Sequence, residues 1–192
     1  MQEGRIICGT LKHRRIKMPG TSSTRATSSI VKEAIFNVLK HRYYVDFECV
    51  VAMDLFAGSG ALGIEALSLG AKKTIFVDEN ATSACCIRQN LLSLGLKRQA
   101  SVICKRLETV PDDIFLKLLA PYRDITAVVF MDPPYKNRQI IISQLSRFRT
   151  ILYNMHSIFI LESNFDVASL MPELTHSVQH GDTFLTFLEC GA

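Results

Sequence analysis

A glycine-rich turn that follows an apolar run and opens a helix is the feature that most constrains the fold of this chain. The apolar run Val50–Met53 predicts a fully buried strand that ends at Asp54. Glycines follow at positions 58, 60 and 63, and the pattern of residues 61–69 predicts a helix that Gly70 closes. A strand, a tight glycine turn and a helix begin a βαβ unit, so the chain is predicted to build a parallel α/β sheet.

The rest of the chain repeats this alternation. Further strand–helix units and one last parallel strand are predicted at 74–78 with 81–94, 101–104 with 112–119, 125–131 with 138–148, and 157–161. Residues 174–180 and 182–189 predict a terminal antiparallel hairpin. A length of 192 residues suits one domain with a sizeable core. We therefore expect a Rossmann-like α/β domain over residues 26–192, with a doubly wound, mostly parallel sheet and an antiparallel C-terminal hairpin.

The tetrapeptide Asp132-Pro133-Pro134-Tyr135 follows a predicted buried strand, at the edge where open α/β sheets place their ligands. Two successive prolines stiffen this loop and supply carbonyl acceptors without N–H donors. The Asp132 carboxylate and the Pro133 carbonyl can accept both hydrogens of a planar amine, while the Tyr135 ring stacks on its plane. The loop is predicted to hold a planar group with an exocyclic amine, although a plain Asp-Pro-Pro turn is the simpler alternative.

The glycine turn admits two interpretations. The spacing of Gly58, Gly60 and Gly63 matches the general dinucleotide-binding pattern G-x-G-x-x-G. The form D-x-F-x-G-x-G, which Asp54 and Phe56 complete, is instead typical of the loop that binds S-adenosylmethionine. In that case backbone groups would hold the amino-acid part of the cofactor, with Asp54 near its ammonium group.

Asp78 ends the next predicted strand, at the distance where this architecture places an acid that accepts from ribose hydroxyls. Glu79 is a neighbour that could take this role, and Asp78 could also cap the helix that starts near Asn80. The residues that we expect to bind the cofactor are Asp54, Phe56, Gly58, Gly60 and Asp78.

With both motifs in place, the chain resembles S-adenosylmethionine-dependent methyltransferases that act on planar nitrogens of adenine, guanine or a glutamine amide. Two N-terminal segments narrow the resemblance. Residues 5–16 are similar to the R-I-I-G-G-x-x-R-G-R-x-L arm, and residues 25–37 to the R-P-T-x-D-R-V-R-E-x-L-F-N segment, of RsmD-type rRNA (guanine-N2) methyltransferases. The resemblance runs from about Gly4 to Leu188.

This resemblance implies a class I methyltransferase fold and methylation of N2 of guanine 966 in 16S rRNA, on the small ribosomal subunit. It implies S-adenosylmethionine as cofactor, no metal, and Asp132, Pro133 and Tyr135 as catalytic residues. The chain departs from the family at Cys8, Ala26, Ser29 and Ile30. Arg106 stands at the position where the family usually has an acid or amide that contacts the adenine of the cofactor. Because arginine cannot accept a hydrogen bond, we expect backbone groups or Glu108 to recognise the adenine instead.

The first 25 residues carry six Lys and Arg side chains and one acid, within a hairpin predicted from residues 5–8 and 14–18. Such a block is usually a solvated face, but beside a base-modifying pocket it predicts phosphate contacts. We expect residues 1–25 to form an arm that extends the same domain. The residues expected to contact substrate RNA are Arg5, Arg14, Arg15, Lys17 and Arg25.

Composition narrows the remaining classes. No apolar run approaches the roughly 18 residues of a membrane helix, and no secretory leader pattern is visible. The spacing of the six cysteines fits neither a disulfide scaffold nor a metal site. A cytoplasmic monomer with free thiols is expected. Other acceptors, in DNA adenine N6 or glutamine methyltransferases, and a non-catalytic RNA-binding role stay open; the arm argues against the first two and the intact motifs against the last.

Overall fold

The computed structural model describes residues 3–20, 28–133, 138–167, 175–181 and 183–191. Its strands are β1 Glu3–Arg5, β2 Arg15–Lys17, β3 Val50–Asp54, β4 Lys73–Asp78, β5 Ala100–Cys104, β6 Thr126–Met131, β7 Ser157–Ser163, β8 Thr175–His180 and β9 Thr183–Cys190. Its α-helices are α1 Ser29–His41, α2 Ala61–Ser68, α3 Ala81–Ser93, α4 Asp112–Leu119 and α5 Arg138–Ile151. These bounds fall within a few residues of those that the sequence predicts.

Seven strands form one sheet in the order β5-β4-β3-β6-β7-β9-β8. The first five run parallel, and β9 is antiparallel to both β7 and β8. The predicted doubly wound sheet with an antiparallel C-terminal hairpin is therefore confirmed. The chain winds outward in both directions from the centre, so the switch point lies at β3 and β6, where a crevice for a ligand is expected above the carboxyl ends of the strands.

Alternate strand residues fill two separate cores, one on each face of the sheet. The first core joins helices α1, α2 and α3 to inward residues that include Ala52, Phe76, Phe130 and Ile160. The second core joins α4 and α5 to Met53, Val77, Val129 and Leu161. Within it the rings of Phe115 and Phe148 pack edge to face, with their centroids 5.0 Å apart. This alternation decides which face each strand-end side chain reaches.

The N-terminal hairpin pairs β1 with β2 antiparallel and buries Ile6 and Ile16 against the first core. Its strands are shorter than predicted because the N–H groups of Ile7 and Cys8 donate to the Glu65 carboxylate of α2, at 2.9 and 3.1 Å. The Lys32 ammonium of α1 pairs with the same carboxylate at 2.8 Å, and both side chains are buried. One carboxylate therefore fastens the hairpin and α1 to the helix that follows the glycine turn.

None of the helices within the described ranges combines the length and the apolar character that a bilayer crossing requires.

Candidate active site

The glycine turn links β3 to α2 and brings the backbone of two elements close together. Gly60 has φ of 77° and forms the N-terminal cap of α2, a left-handed conformation that a side chain would strain. A Cβ atom at Gly63 would lie 2.3 Å from Cε1 of Phe76, so only glycine lets α2 approach β4 this closely. The turn therefore presents bare backbone above the ends of β3 and β4, as a cofactor loop requires.

Asp54 lies at the end of β3 beneath this turn, with 4% of its surface exposed. Its Oδ2 accepts a hydrogen bond from the Gly63 N–H at 3.0 Å. Burial raises the pKa of the Asp54 carboxyl to about 7, the nearby Asp78 charge adds to the rise, and the Gly63 bond opposes it. The sequence prediction places this carboxylate near an ammonium group, and such a cation would favour the ionised form.

Asp78, at the end of β4, holds the glycine turn from the other side. Its Oδ2 accepts from the Gly58 N–H at 2.7 Å and its Oδ1 from the Asn80 N–H at 2.8 Å. The interpretation of Asp78 as a helix cap is wrong, because Asn80 caps α3 by accepting from the Thr82 N–H at 2.8 Å. Each carboxylate oxygen keeps a second lone pair, so Asp78 can hold the turn and still accept from a ligand hydroxyl.

Four acidic side chains stand side by side at the carboxyl edge of four adjacent strands. They share a face of the sheet, since each is two residues beyond a residue of the first core. We refer to this set as the acidic row: Asp78 after Phe76, Asp54 after Ala52, Asp132 after Phe130 and Glu162 after Ile160. Burial, followed by the charges of Glu162 and Asp54, raises the pKa of Asp132 well above its ordinary value. The row thus concentrates carboxyl groups where the crevice is expected.

Asp132 and Pro133 follow β6 directly; Asp132 is half-buried and Pro133 is buried. Pro134 and Tyr135, with the predicted stacking ring, lie outside the described residues. Phe56 packs against the second core rather than toward the acidic row. Its role in cofactor binding therefore stays a prediction that depends on its backbone more than on its ring.

Arg106 lies after β5, with its side chain exposed and within 3.7 Å of Glu79 and 3.9 Å of Glu108. Arg106 thus forms ion pairs with both Glu79 and Glu108, two acids near this edge of the sheet. If the adenine of a cofactor lay at this edge, it would meet a guanidinium flanked by two carboxylates, each of which can also accept a hydrogen bond from an amine.

Four of the basic residues predicted to meet RNA lie on the described hairpin, and all four are exposed: Arg5, Arg14, Arg15 and Lys17. Arg25 lies outside the described residues. The Arg15 guanidinium forms an ion pair with the Glu3 carboxylate at 2.9 Å. The two side chains are exposed, at 65% and 49% respectively. The hairpin is therefore a charged outer surface rather than part of the crevice.

Asn90 of α3 is a buried residue that the sequence prediction missed, and it connects the hairpin to the glycine turn. Its Oδ1 accepts from the Lys17 N–H at 2.8 Å, and its Nδ2 donates to the Lys17 carbonyl at 3.0 Å and to the Ser59 carbonyl at 3.3 Å. Glu65 and Lys32 were missed as well. All three are polar residues within helical patterns, where a solvated position is the usual expectation.

The raised pKa of Asp54 predicts how the free energy of unfolding depends on pH. Above its ordinary pKa of 3.8 the unfolded chain loses a proton that the folded chain keeps up to about pH 7, so rising pH lowers the free energy of unfolding across that window. Asp54→Asn removes this loss and keeps an acceptor for Gly63. From pH 4 to pH 8 the free energy of unfolding of the variant, relative to that of the wild type, should therefore rise by on the order of 4 kcal/mol. Urea unfolding at several pH values measures the difference, and parallel profiles for the two proteins would contradict the assignment.

Comparison with known proteins agrees with this arrangement of fold and motifs. The family model for conserved hypothetical protein 95 matches residues 4–188. Over 136 residues, 71% of this chain and 69% of the relative, the sequence is 38% identical to YlbH of Bacillus subtilis, a candidate rRNA methyltransferase. The chain belongs to the RsmD-type methyltransferase family. The family assignment covers both N-terminal segments as well as the two strand-end motifs.

Two further comparisons extend this assignment. The ribosomal RNA small subunit methyltransferase D of Haemophilus influenzae is 35% identical over 133 residues, which span 69% of this chain and 64% of the relative. The fold is also similar to the solved structure of yhhF from Escherichia coli, a candidate methyltransferase. The match spans 100% of this chain and 99% of the yhhF chain, with a TM-score of 0.72 and 24% sequence identity. The RsmD-type chain thus has the class I methyltransferase fold.

Proposed function

We propose that the protein is an S-adenosylmethionine-dependent rRNA methyltransferase that methylates the exocyclic N2 of a guanine in 16S rRNA. By family resemblance the target is guanine 966, on the small ribosomal subunit, and the enzyme acts as a cytoplasmic monomer without a metal. The observation that carries the proposal is Asp132, with the Pro133 carbonyl behind it, at the carboxyl end of β6 and next to the acidic end of β3. The rRNA substrate of the related enzymes supports the choice of RNA.

The acidic row supports S-adenosylmethionine over a nicotinamide dinucleotide. S-adenosylmethionine carries a positive sulfonium and an ammonium group, whereas a dinucleotide brings a negatively charged diphosphate to the same glycine turn. The carboxyl groups at the ends of β3 and β4, the buried Asp54 and the half-buried Asp78, favour a cation over an anion as a ligand of the glycine turn. The residues present therefore fit the cofactor that the family implies.

The proposed mechanism uses the acceptors of the Asp132 loop. When bound, S-adenosylmethionine would supply a methyl group from its sulfonium. The Asp132 carboxylate and the Pro133 carbonyl accept both hydrogens of the target amine, which turns the nitrogen lone pair away from the base ring and toward the methyl carbon. Asp132 stabilises the positive charge that develops on nitrogen, and Asp132 or water removes the proton afterwards. Tyr135 is proposed as the stacking platform for a base that has left its stack.

The function is tested by incubating the purified protein with 16S rRNA, both free and assembled into small subunits, and with S-adenosylmethionine. Nucleoside mass spectrometry should then show N2-methylguanosine at one position. RNA binding without any methylated nucleoside would favour the non-catalytic alternative, and N6-methyladenosine would favour the other enzyme class. The same assay distinguishes free RNA from the assembled subunit as substrate.

Asp78→Ala should weaken binding of S-adenosylmethionine and S-adenosylhomocysteine by about 10- to 100-fold, because hydrogen bonds from ribose hydroxyls to a carboxylate are lost. Isothermal calorimetry measures both affinities. The matched control is Asn80→Ala, which removes the α3 cap but no proposed ligand contact and should keep the affinity within a few fold. Binding of NAD with no binding of either sulfur compound would contradict the cofactor assignment.

We propose that residues 1–25 act as an RNA-binding extension of the same domain. Arg14 reaches the Ser93 carbonyl at 3.4 Å and Lys17 reaches Gln89 at 3.2 Å, so the exposed cations lie along the outer side of α3. Through Asn90 the Lys17 backbone is held next to the glycine turn. Phosphates that follow the hairpin would therefore run toward the crevice, and such contacts position the RNA without reading its sequence.

Replacing Arg14 and Arg15 together with alanine should weaken RNA binding and flatten its salt dependence. If each side chain holds one phosphate, the slope of log affinity against log salt should fall by roughly two. Filter binding over a salt series measures this slope. Lys117 and Arg123, exposed on the opposite side of the sheet, supply a matched double variant that should leave it unchanged. Equal slopes for all three proteins would mean that the hairpin is only a solvated face.

A further inference from the structure

Glu162 lies beside Asp132 at the candidate site, and the sequence motifs give it no role. It is the sixth residue of β7 and only 8% of its surface is exposed. Met131 of β6 is paired with Leu161 of β7, so the next residues along the two parallel strands are Asp132 and Glu162. Adjacent strands lie about 4.8 Å apart, and both side chains continue the face of the first core. Two carboxylates therefore point side by side toward the same edge of the crevice.

A pair of neighbouring hydrogen-bond acceptors on the protein complements guanine better than any other base that could receive the methyl group. Guanine carries two kinds of donor side by side on its Watson–Crick edge, the N1–H and the N2 amine. Adenine has a single amine there, next to an N1 that is itself an acceptor. A carboxylate opposite adenine N1 would place lone pairs against each other, whereas opposite guanine it accepts a hydrogen bond.

We infer that Glu162 accepts the N1–H of the target guanine while Asp132 holds its N2 amine, so that Glu162 selects guanine over adenine. The inference rests on the proposed function and names the residue that sets its base specificity. Two carboxylates on neighbouring strands repel each other, and after burial the charge of Glu162 is the largest cause of the raised pKa of Asp132. A ligand edge with two adjacent N–H donors relieves that repulsion, which neither an adenine edge nor a lone amide NH₂ group does.

The inference is tested with two RNA substrates that differ at the target base, one with guanine and one with 2-aminopurine. Both bases offer the N2 amine, but 2-aminopurine has no hydrogen on N1. The wild type should prefer guanine in kcat/KM by about 100-fold or more, because a buried acceptor is left facing a lone pair. Glu162→Gln should reduce this preference to about tenfold or less, since an amide can either accept from guanine N1–H or donate to the N1 of 2-aminopurine.

The readout is a ratio of two substrates for one enzyme preparation, so a lower fraction of folded variant does not change it. Loss of the O6 atom in 2-aminopurine affects both enzymes alike and cancels when their ratios are compared. The matched control is Glu189→Gln on β9, which should keep the wild-type ratio. Glu189 is paired with Ile158 near the start of β7, at the other end of the strand from Glu162. This substitution changes the same chemical group at an exposed position.

Equal kcat/KM for the two bases in the wild type would overturn the inference, because the enzyme would then use no contact to N1–H. An unchanged preference in Glu162→Gln would also overturn it, because the contact would belong to another residue. Both results leave the proposed function intact, since guanine is still methylated. Absence of guanine methylation by the wild type, with methylation of another base, is the distinct result that would overturn the proposed function.

Discussion

Replacing Asp132 with alanine is expected to reduce kcat for methyl transfer by about 10³-fold, because the variant loses the acceptor that orients the amine and stabilises its developing charge. Affinity for S-adenosylmethionine should change by only a few fold, since the proposed partner of Asp132 is the target amine. The free energy of unfolding should not fall: burial and the neighbouring charges of Glu162 and Asp54 already disfavour the ionised carboxyl. Single-turnover methylation and calorimetry on the same preparation measure the two effects.

The control for this experiment is Asp132→Asn, whose amide oxygen still accepts one hydrogen bond. It should retain more activity than the alanine variant while carrying no charge, which separates the loss of the acceptor from the loss of the charge. Near-normal turnover in Asp132→Ala would refute the assignment of this residue. A parallel loss of cofactor affinity and turnover would instead place Asp132 in the cofactor site.

Replacing Glu65 with alanine is expected to lower the free energy of unfolding by about 3–5 kcal/mol, a large share of the stability of an ordinary domain. The variant leaves Lys32, a residue that is only 3% exposed, without the counter-charge of its ammonium group. It also removes the acceptor for the Ile7 and Cys8 N–H groups, which hold the hairpin against α2. Urea unfolding at neutral pH measures the loss, and proteolysis of the hairpin should accelerate in parallel.

The chain offers a matched control on the same hairpin. Arg15 and Glu3 form an ion pair with nearly the same 2.9 Å separation, but both side chains are exposed. Glu3→Ala should therefore cost less than about 1 kcal/mol. In the double variant Glu65→Leu with Lys32→Met no charge stays buried, so this protein should regain part of the stability that Glu65→Ala loses. Equal losses for the buried and the exposed pair would mean that Glu65 does not anchor the hairpin.

Much of the fold could be predicted because its signals are local. Apolar runs such as Val50–Met53 and the turn residues around them fix the strands, and their order fixes a parallel sheet. The motifs at Asp54, Asp78 and Asp132 could be placed at one edge for the same reason: parallel strands bring their carboxyl ends together. The structure adds that these three acids share a face, which follows from the alternation within each strand.

The remaining features depend on contacts between residues that are distant in sequence. Glu65 and Ile7 are 58 residues apart, and Asn90 and Lys17 are 73 apart, so no local pattern reveals either bond. A helical pattern places charged and amide side chains such as Glu65 and Asn90 in solvent by default. Their burial becomes visible only when the hairpin folds back across α2 and α3, which supplies the backbone groups that satisfy them.

The acidic row has a consequence for the end of each catalytic cycle. With the proposed cofactor, methyl transfer would turn a charged sulfonium into a neutral thioether, while Asp54 and Asp78 remain at the ends of their strands. The row would then face a ligand with one positive charge fewer, so the same carboxyl groups that attract the fresh cofactor would hold the spent one less firmly. The carboxyl edge of the sheet would thereby favour exchange of the used cofactor for a new one in each round.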